Sequence, residues 1–183
     1  PPMNQDIVDQ CVSAMGAEDL DGLIAMSPEN FAYVAGFIVP SQPVLRWRHA
    51  AVVITRDGRT ALYAVDMEAS TVRSLEPQAE VRVWEEFAED AMPVLADLLA
   101  DLGLRTGRVG IETDYLPARD MDRLTRMLPE VRWQPAQAVF NRLRLVKTPR
   151  ELELMRRLAR ITDRSIKEAF ESVHPGDTEM DLA

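Results

Sequence analysis

Two rhythms of apolar residues alternate along the chain. Short runs that are wholly apolar or alternate in polarity predict strands, and runs with apolar residues every three or four positions predict helices. Gly22-Leu23-Ile24-Ala25-Met26 is uniformly apolar and predicts a buried strand over 22–26. Strands over 50–55 and 60–65 flank Asp57-Gly58, a strong turn signal, and predict a hairpin. Further strands are expected over 80–84, 108–112 and 131–134. Between them, Ile7, Val8, Cys11, Val12 and Met15 mark one face of a helix over 3–16. Ser27-Pro28 opens a short helix that ends at Gly36. Helices are also expected over 67–75, over 88–102 with Pro93 near its start and Gly103 closing it, over 117–128 led by Pro117, and over 136–146. Interleaved strands and helices with one hairpin indicate an α/β fold: a mixed sheet of about six strands, covered by helices on both faces. Residues 37–49 show no period and are expected to form a long loop.

The tail follows a different plan. Thr148 can cap a helix, Pro149 suits its first position, and Glu151 completes a capping box. Leu152, Met155, Leu158, Ala159, Thr162, Ile166, Ala169, Phe170 and Val173 then recur at helical spacing until His174-Pro175-Gly176. Thr178-Glu179-Met180-Asp181 is a second capping box with only Leu182 and Ala183 beyond it. So short a helix does not hold itself together in water. The expectation is therefore a front portion of a longer polypeptide: a sheet domain over 1–146, then a long connecting helix and the start of a further domain over 147–183. Position 1 is proline, as at a trimmed edge.

Net charge is −9, which argues against a nucleic-acid partner and otherwise reads as solubility. No run approaches the roughly 18 apolar residues of a membrane span, and the first residues lack the basic and apolar regions of a signal peptide. The single cysteine, Cys11, excludes an internal disulfide and fits a buried spectator in a reducing cytoplasm.

Candidate chemistry is sparse. Glycine-rich phosphate loops are absent, and His49 and His174 lie far apart with no second ligand at helical spacing, so no metal site is expected in this chain. His174 beside a helix end reads as a partner of the helix dipole. Asp66, Glu68, Glu112 and Asp114 fall at expected strand ends, where acid/base or metal chemistry can assemble, although most carboxylates of an acidic protein are simply solvated. Ser27, Ser41 and Ser70 lack the glycine-flanked turn of a nucleophile, and no catalytic residue is assigned. The 37–49 loop concentrates Arg46, Trp47, Arg48 and His49, residue types that favour interfaces and carboxylate recognition. Two readings balance there: a substrate-facing or interface loop, and a solvated loop pinned to the core by Trp47.

Asp21-Gly22-Leu23-Ile24-Ala25-Met26 followed by Asn30-Phe31-Ala32-Tyr33-Val34-Ala35-Gly36-Phe37 resembles the first strand and the N-x-x-Y-x-x-G-[FY] stretch of the amino-terminal domains of the creatinase, prolidase and aminopeptidase P family. Lys147-Thr148-Pro149-Arg150-Glu151 resembles that family's K-[ST]-P-x-E connector, with Arg156 and Ala159 where its long helix carries arginine and alanine. Pro175-Gly176-Asp177-Thr178-Glu179 resembles the lead-in to its catalytic domain. The resemblance implies a ribonuclease-H-like mixed sheet placed before a "pita-bread" metallohydrolase domain. It also implies that the dinuclear metal (manganese, cobalt or zinc) and its ligands belong to that second domain, so that this chain alone is inactive. The implied partners are the chain's own catalytic domain and a second subunit of a homodimer. The implied substrate is a small peptide, such as a Xaa-Pro dipeptide, or an amidine. A free-standing binding module with the same fold stays open as the alternative, and a nuclease is disfavoured by the acidic charge.

Overall fold

Six strands form one sheet in the order β4-β3-β2-β1-β5-β6 in the computed structural model, which describes residues 3–75 and 80–181. They are β1 (Gly22–Ala25), β2 (Ala51–Thr55), β3 (Thr60–Val65), β4 (Glu80–Trp84), β5 (Gly107–Ile111) and β6 (Val131–Pro135). The hairpin is present: β2 and β3 pair antiparallel, with Ala51 opposite Tyr63 and Ile54 opposite Thr60. β1 also runs antiparallel to β2, whereas the β1–β5, β5–β6 and β3–β4 pairs are parallel. Only β2 therefore opposes the rest. The carboxyl ends of the other five strands share one edge of the sheet with the amino end of β2.

Helix α1 (Gln5–Glu18) precedes β1, helices α2 (Pro28–Ala35), α3 (Ala69–Leu75), α4 (Ala91–Asp101), α5 (Ala118–Met127) and α6 (Gln137–Leu145) come after β1, β3, β4, β5 and β6 in turn, and α7 (Pro149–Ser172) is the last α-helix. The sheet residues show why both faces are covered. Along β2, Ala51 and Val53 join a core with Leu95, Leu98 and Leu99 of α4 and Leu124 of α5. Val52 and Ile54 join another with Ile7, Cys11 and Met15 of α1, Phe31 of α2 and Phe140 of α6. A strand buried on both faces is apolar at nearly every position, which is the pattern of β1 and of β2 up to its last residue, Thr55. Each large side chain so buried contributes about 1.5–3 kcal/mol. Burial also pushes the Cys11 thiol up to about 12, so it stays protonated and inert.

Several element ends differ from expectation, each for a local reason. α1 runs through Gly16 and stops at Glu18, because Asp19 takes the left-handed conformation (φ 52°). A glycine inside a helix costs only about 1 kcal/mol, too little to end one that buries four residues on its inner face. α4 begins at Ala91 rather than 88, because the Asp90 side chain accepts from the Met92 N–H and caps it there. A 3₁₀ turn at Asp66–Glu68 precedes α3.

The chain divides into two compact units, Pro1–Leu143 and Arg144–Ala183. In the second, the capping box of α7 is complete: Glu151 N–H donates to Thr148 Oγ1 at 3.1 Å and Thr148 N–H to Glu151 Oε2 at 2.8 Å. Leu152, Met155, Leu158, Ile166 and Phe170 leave an apolar stripe exposed along α7. After it, Glu179–Asp181 form a single 3₁₀ turn. There the Thr178 hydroxyl donates to the Asp181 carboxylate instead of capping a backbone N–H, so the expected second box is only half made. His174 lies past the helix end, its backbone N–H donating to Asp177 Oδ2 at 2.5 Å.

Candidate functional site: a cleft at the carboxyl edge of the sheet

Ligands of open α/β sheets bind outside the carboxyl ends of the strands. At that edge α2 begins, anchored by one buried carboxylate. Glu112, just past β5, accepts from the backbone N–H groups of Met26 (2.5 Å) and Ser27 (2.9 Å) and from Asn30 Nδ2 (2.6 Å). Ser27 caps the helix by accepting from Asn30 N–H. Glu68 accepts from the Ser41 N–H at 2.9 Å, and Asp66 from the Glu86 N–H at 3.4 Å. Three of the four strand-end carboxylates thus hold backbone in place, and Asp114 is exposed. Among the described residues no group of three or more His, Cys, Asp or Glu side chains could hold a metal ion.

Residues 37–49 cross this edge as a series of turns without helix or strand. Gln42 pins them, 1 % exposed, its Nε2 donating to the carbonyl oxygens of Met26 (2.5 Å) and Ala50 (3.2 Å). Val39, three residues earlier, is fully buried. The expectation that Trp47 anchors the loop fails: Trp47 is 61 % exposed. The side chain that enters the interior is an amide able to satisfy two carbonyls at once, which hydropathy alone does not pick out.

The four residues singled out in the loop point to different places. Arg46 is exposed; it donates from Nη2 to the Tyr115 carbonyl at 3.0 Å and lies 5.5 Å from the centre of that ring. Arg48 Nε pairs with Glu86 Oε1 at 2.8 Å, and this bond holds the guanidinium's pKa above its ordinary value. His49 is only 4 % exposed. Its Nε2 lies 3.1 Å from Asp120 Oδ2, and its carbonyl accepts from Trp84 Nε1 at 3.0 Å. Its Nδ1 is buried without a hydrogen-bond partner among the described residues.

Of the four, Trp47 and His49 line an open cleft of about 600 Å³, whose walls also include Trp84, Glu86, Phe87 and Asp120. Phe87 is 96 % exposed. Asp120 and Phe87 carried no signal in the sequence, because Asp120 is defined by a contact to a residue 71 positions away.

Burial pulls the His49 pKa down, and the Asp120 carboxylate offsets this only in part. A base whose folded pKa lies below its unfolded value binds protons more readily when unfolded. His49 is therefore expected to add stability above its unfolded pKa of about 6.5. That contribution is lost as pH falls from there towards the folded value. Melting curves of wild type and His49→Phe between pH 5 and 8 check this: the wild type should lose more stability on acidification than the variant.

The family now follows from a match over most of the sheet unit. Residues 8–146 match the model of the Creatinase/Prolidase N-terminal domain. The chain belongs to that family. An uncharacterized hydrolase/peptidase of Sinorhizobium fredii is 27 % identical over 179 residues, covering 92 % of this chain and 45 % of its relative. The ectoine hydrolase of Halomonas elongata is 28 % identical over 172 residues, covering 88 % and 42 % respectively. The chain thus spans less than half the length of these curated relatives. Among solved structures, a prolidase from Thermococcus sibiricus superposes with a TM-score of 0.75 at 18 % identity, covering 100 % of this chain and 48 % of the other. A dipeptidase from Pyrococcus horikoshii OT3 gives 0.72 at 21 % identity over 97 % and 47 %. The N-terminal domain of a Xaa-Pro dipeptidase from Lactobacillus brevis, solved as a chain of its own, gives 0.64 at 18 % identity and is itself 98 % covered by 74 % of this chain. At these identities the structural likeness establishes the shared fold.

Proposed function

We propose that this creatinase/prolidase-type domain is the non-catalytic front part of a longer, dimeric, cytoplasmic metal-dependent hydrolase. Its substrate would be a Xaa-Pro dipeptide, another small peptide or an amidine. The observation that carries this reading is the match to two curated hydrolases over less than half of their length. The reading is compatible with the absence of a candidate metal cluster among the described residues, since it places the dinuclear centre in the remainder of the polypeptide. In this proposal residues 46–49 sit at a subunit boundary. Arg46 and Trp47, the exposed pair, face a substrate held by the partner subunit, and His49 supports them from within.

The test compares residues 1–183 with the full-length natural polypeptide. Manganese-loaded full-length protein is expected to hydrolyse Ala-Pro, creatine or ectoine, and residues 1–183 none of them under the same conditions. Turnover by residues 1–183, or none by the full-length protein with any small peptide or amidine, would overturn the reading.

A further inference from the structure

His49 ties the end of the 37–49 loop to two other elements. Its Nε2 lies 3.1 Å from Asp120 Oδ2 in the first turn of α5, and its carbonyl accepts from Nε1 of Trp84, the last residue of β4, at 3.0 Å. Asp120 is a carboxylate, so Nε2 carries the proton of the neutral ring and Nδ1 holds a lone pair. That Nδ1 is enclosed and has no hydrogen-bond partner among the described residues. The neutral ring fits this setting. The charged ring does not, because its second N–H would be shut away from any acceptor. The neighbouring charges are committed elsewhere or exposed. Arg48 is paired with Glu86 from the turn after β4, and Arg123 of α5 with Asp90; Glu89 and Arg119 are exposed. Tyr63 of β3, on which Asp120 and Glu89 also act, donates its hydroxyl to the Ala91 carbonyl at 2.5 Å, and burial keeps it protonated. Asp120 is thus the charge that favours a proton on His49, and burial outweighs it.

We propose that His49 is an acid-sensitive latch: its neutral ring holds residues 43–49 against α5 and the end of β4, and uptake of one proton at Nδ1 releases them. The closed loop has no place for that proton, whereas a released histidine in water takes it up readily, so each step down in pH favours the released form. Gln42, whose amide bonds to Met26 and Ala50, marks where the release stops. Arg46 and Trp47 lie inside the released segment and move with it. The latch is complete within the sheet unit, so it stands whether or not the longer polypeptide is a hydrolase.

The test follows hydrogen exchange by NMR in the 183-residue chain at pH 7.5 and pH 5.0, corrected for the intrinsic pH dependence of exchange. Two reporters lie at the latch: the Trp84 indole N–H, and the Arg48 N–H, which donates to the Leu45 carbonyl at 2.9 Å. Their protection should fall by up to about thirtyfold between the two pH values, the limit set by an ordinary histidine pKa of about 6.5 in the released loop. At pH 5.0 both should exchange well before the amides of β2 and β3, which marks the release as local. His49→Gln, whose side-chain amide can still donate to Asp120, should be nearly indifferent to pH over this range. The His49 ring resonance of the wild type, which needs no variant, should titrate below about 6.5. Unchanged protection in the wild type, an equal loss in His49→Gln, reporters that exchange only together with the strands, or a ring that titrates at or above the ordinary value would each overturn the latch.

Discussion

Replacing Glu112 with alanine should destabilise the sheet unit by about 3–4 kcal/mol, the largest folding effect expected of any single carboxylate here. The side chain is 3 % exposed and gathers three donors: the N–H groups of Met26 and Ser27 and the Asn30 amide. Two of those belong to the segment where β1 gives way to α2, so the carboxylate bonds to groups that the helix's own ladder does not satisfy. Alanine removes the acceptor and leaves the donors buried. Glutamine keeps the shape but loses charge and turns an N–H₂ towards donors, so it should cost about half as much. For a unit of this size the alanine change corresponds to a fall in Tm of about 8–15 °C. Urea or thermal unfolding checks it. A cost below about 0.5 kcal/mol for both variants would mean that water or a neighbouring group replaces the carboxylate, and that Glu112 does not hold α2 in place.

The consequences extend beyond α2. The Met26 carbonyl, next to the N–H that Glu112 holds, accepts from Gln42. Gln42 in turn fixes the middle of the 37–49 loop. Loosening Glu112 should therefore loosen the loop that carries Arg46 and Trp47, even though neither touches it. This chain of contacts explains how an irregular segment of thirteen residues can be held in one place: its side-chain amide and backbone bond to rigid strand and helix ends.

The same contacts show where sequence reading succeeds and where it stops. The strands were legible because β1 and β2 are buried on both faces and are apolar along nearly their whole length. The hairpin was legible because Asp57-Gly58 supplies the turn, with Gly58 at φ 84°. The α7 start was legible because a capping box is a local pattern, complete within four residues. Strand order was not, since it depends on which strands meet after the crossovers. Nor was the cleft, because the partners of its residues are far away in sequence: His49 with Asp120, Arg48 with Glu86, Trp84 with the His49 carbonyl. The four-residue cluster was visible as composition, but composition cannot say that His49 turns inward while Trp47 turns outward. Asn30 and Gly36, two of the many positions that carry the family resemblance, both have structural work to do here. Asn30 binds Glu112, and Gly36 ends α2 at φ 81°, a conformation that favours glycine.

On the hydrolase reading proposed above, Arg46→Ala in the longer polypeptide is expected to lower kcat/KM by roughly one to two powers of ten while leaving Tm nearly unchanged. Arg46 suits this test better than Arg48. Arg48 is committed to Glu86, and removing it would strip a partly buried carboxylate of its partner, mixing structural with functional loss. Arg46 is exposed, and its bond to the Tyr115 carbonyl uses one of five guanidinium donors, so the rest stay available to a carboxylate. A bidentate contact of that kind contributes about 1.5–3 kcal/mol, which sets the size of the expected loss. Arg46→Lys keeps the charge but not the planar fork, so it should recover only part of the activity. If Arg46 contacts substrate equally before and during reaction, the loss will fall on KM with kcat unchanged; a contact made only in the transition state will lower kcat. Wild-type kinetics in Arg46→Ala would remove the substrate role from this loop. The exposed pair would then be a solvated surface, with Gln42, Val39 and His49 accounting for why the loop is ordered at all.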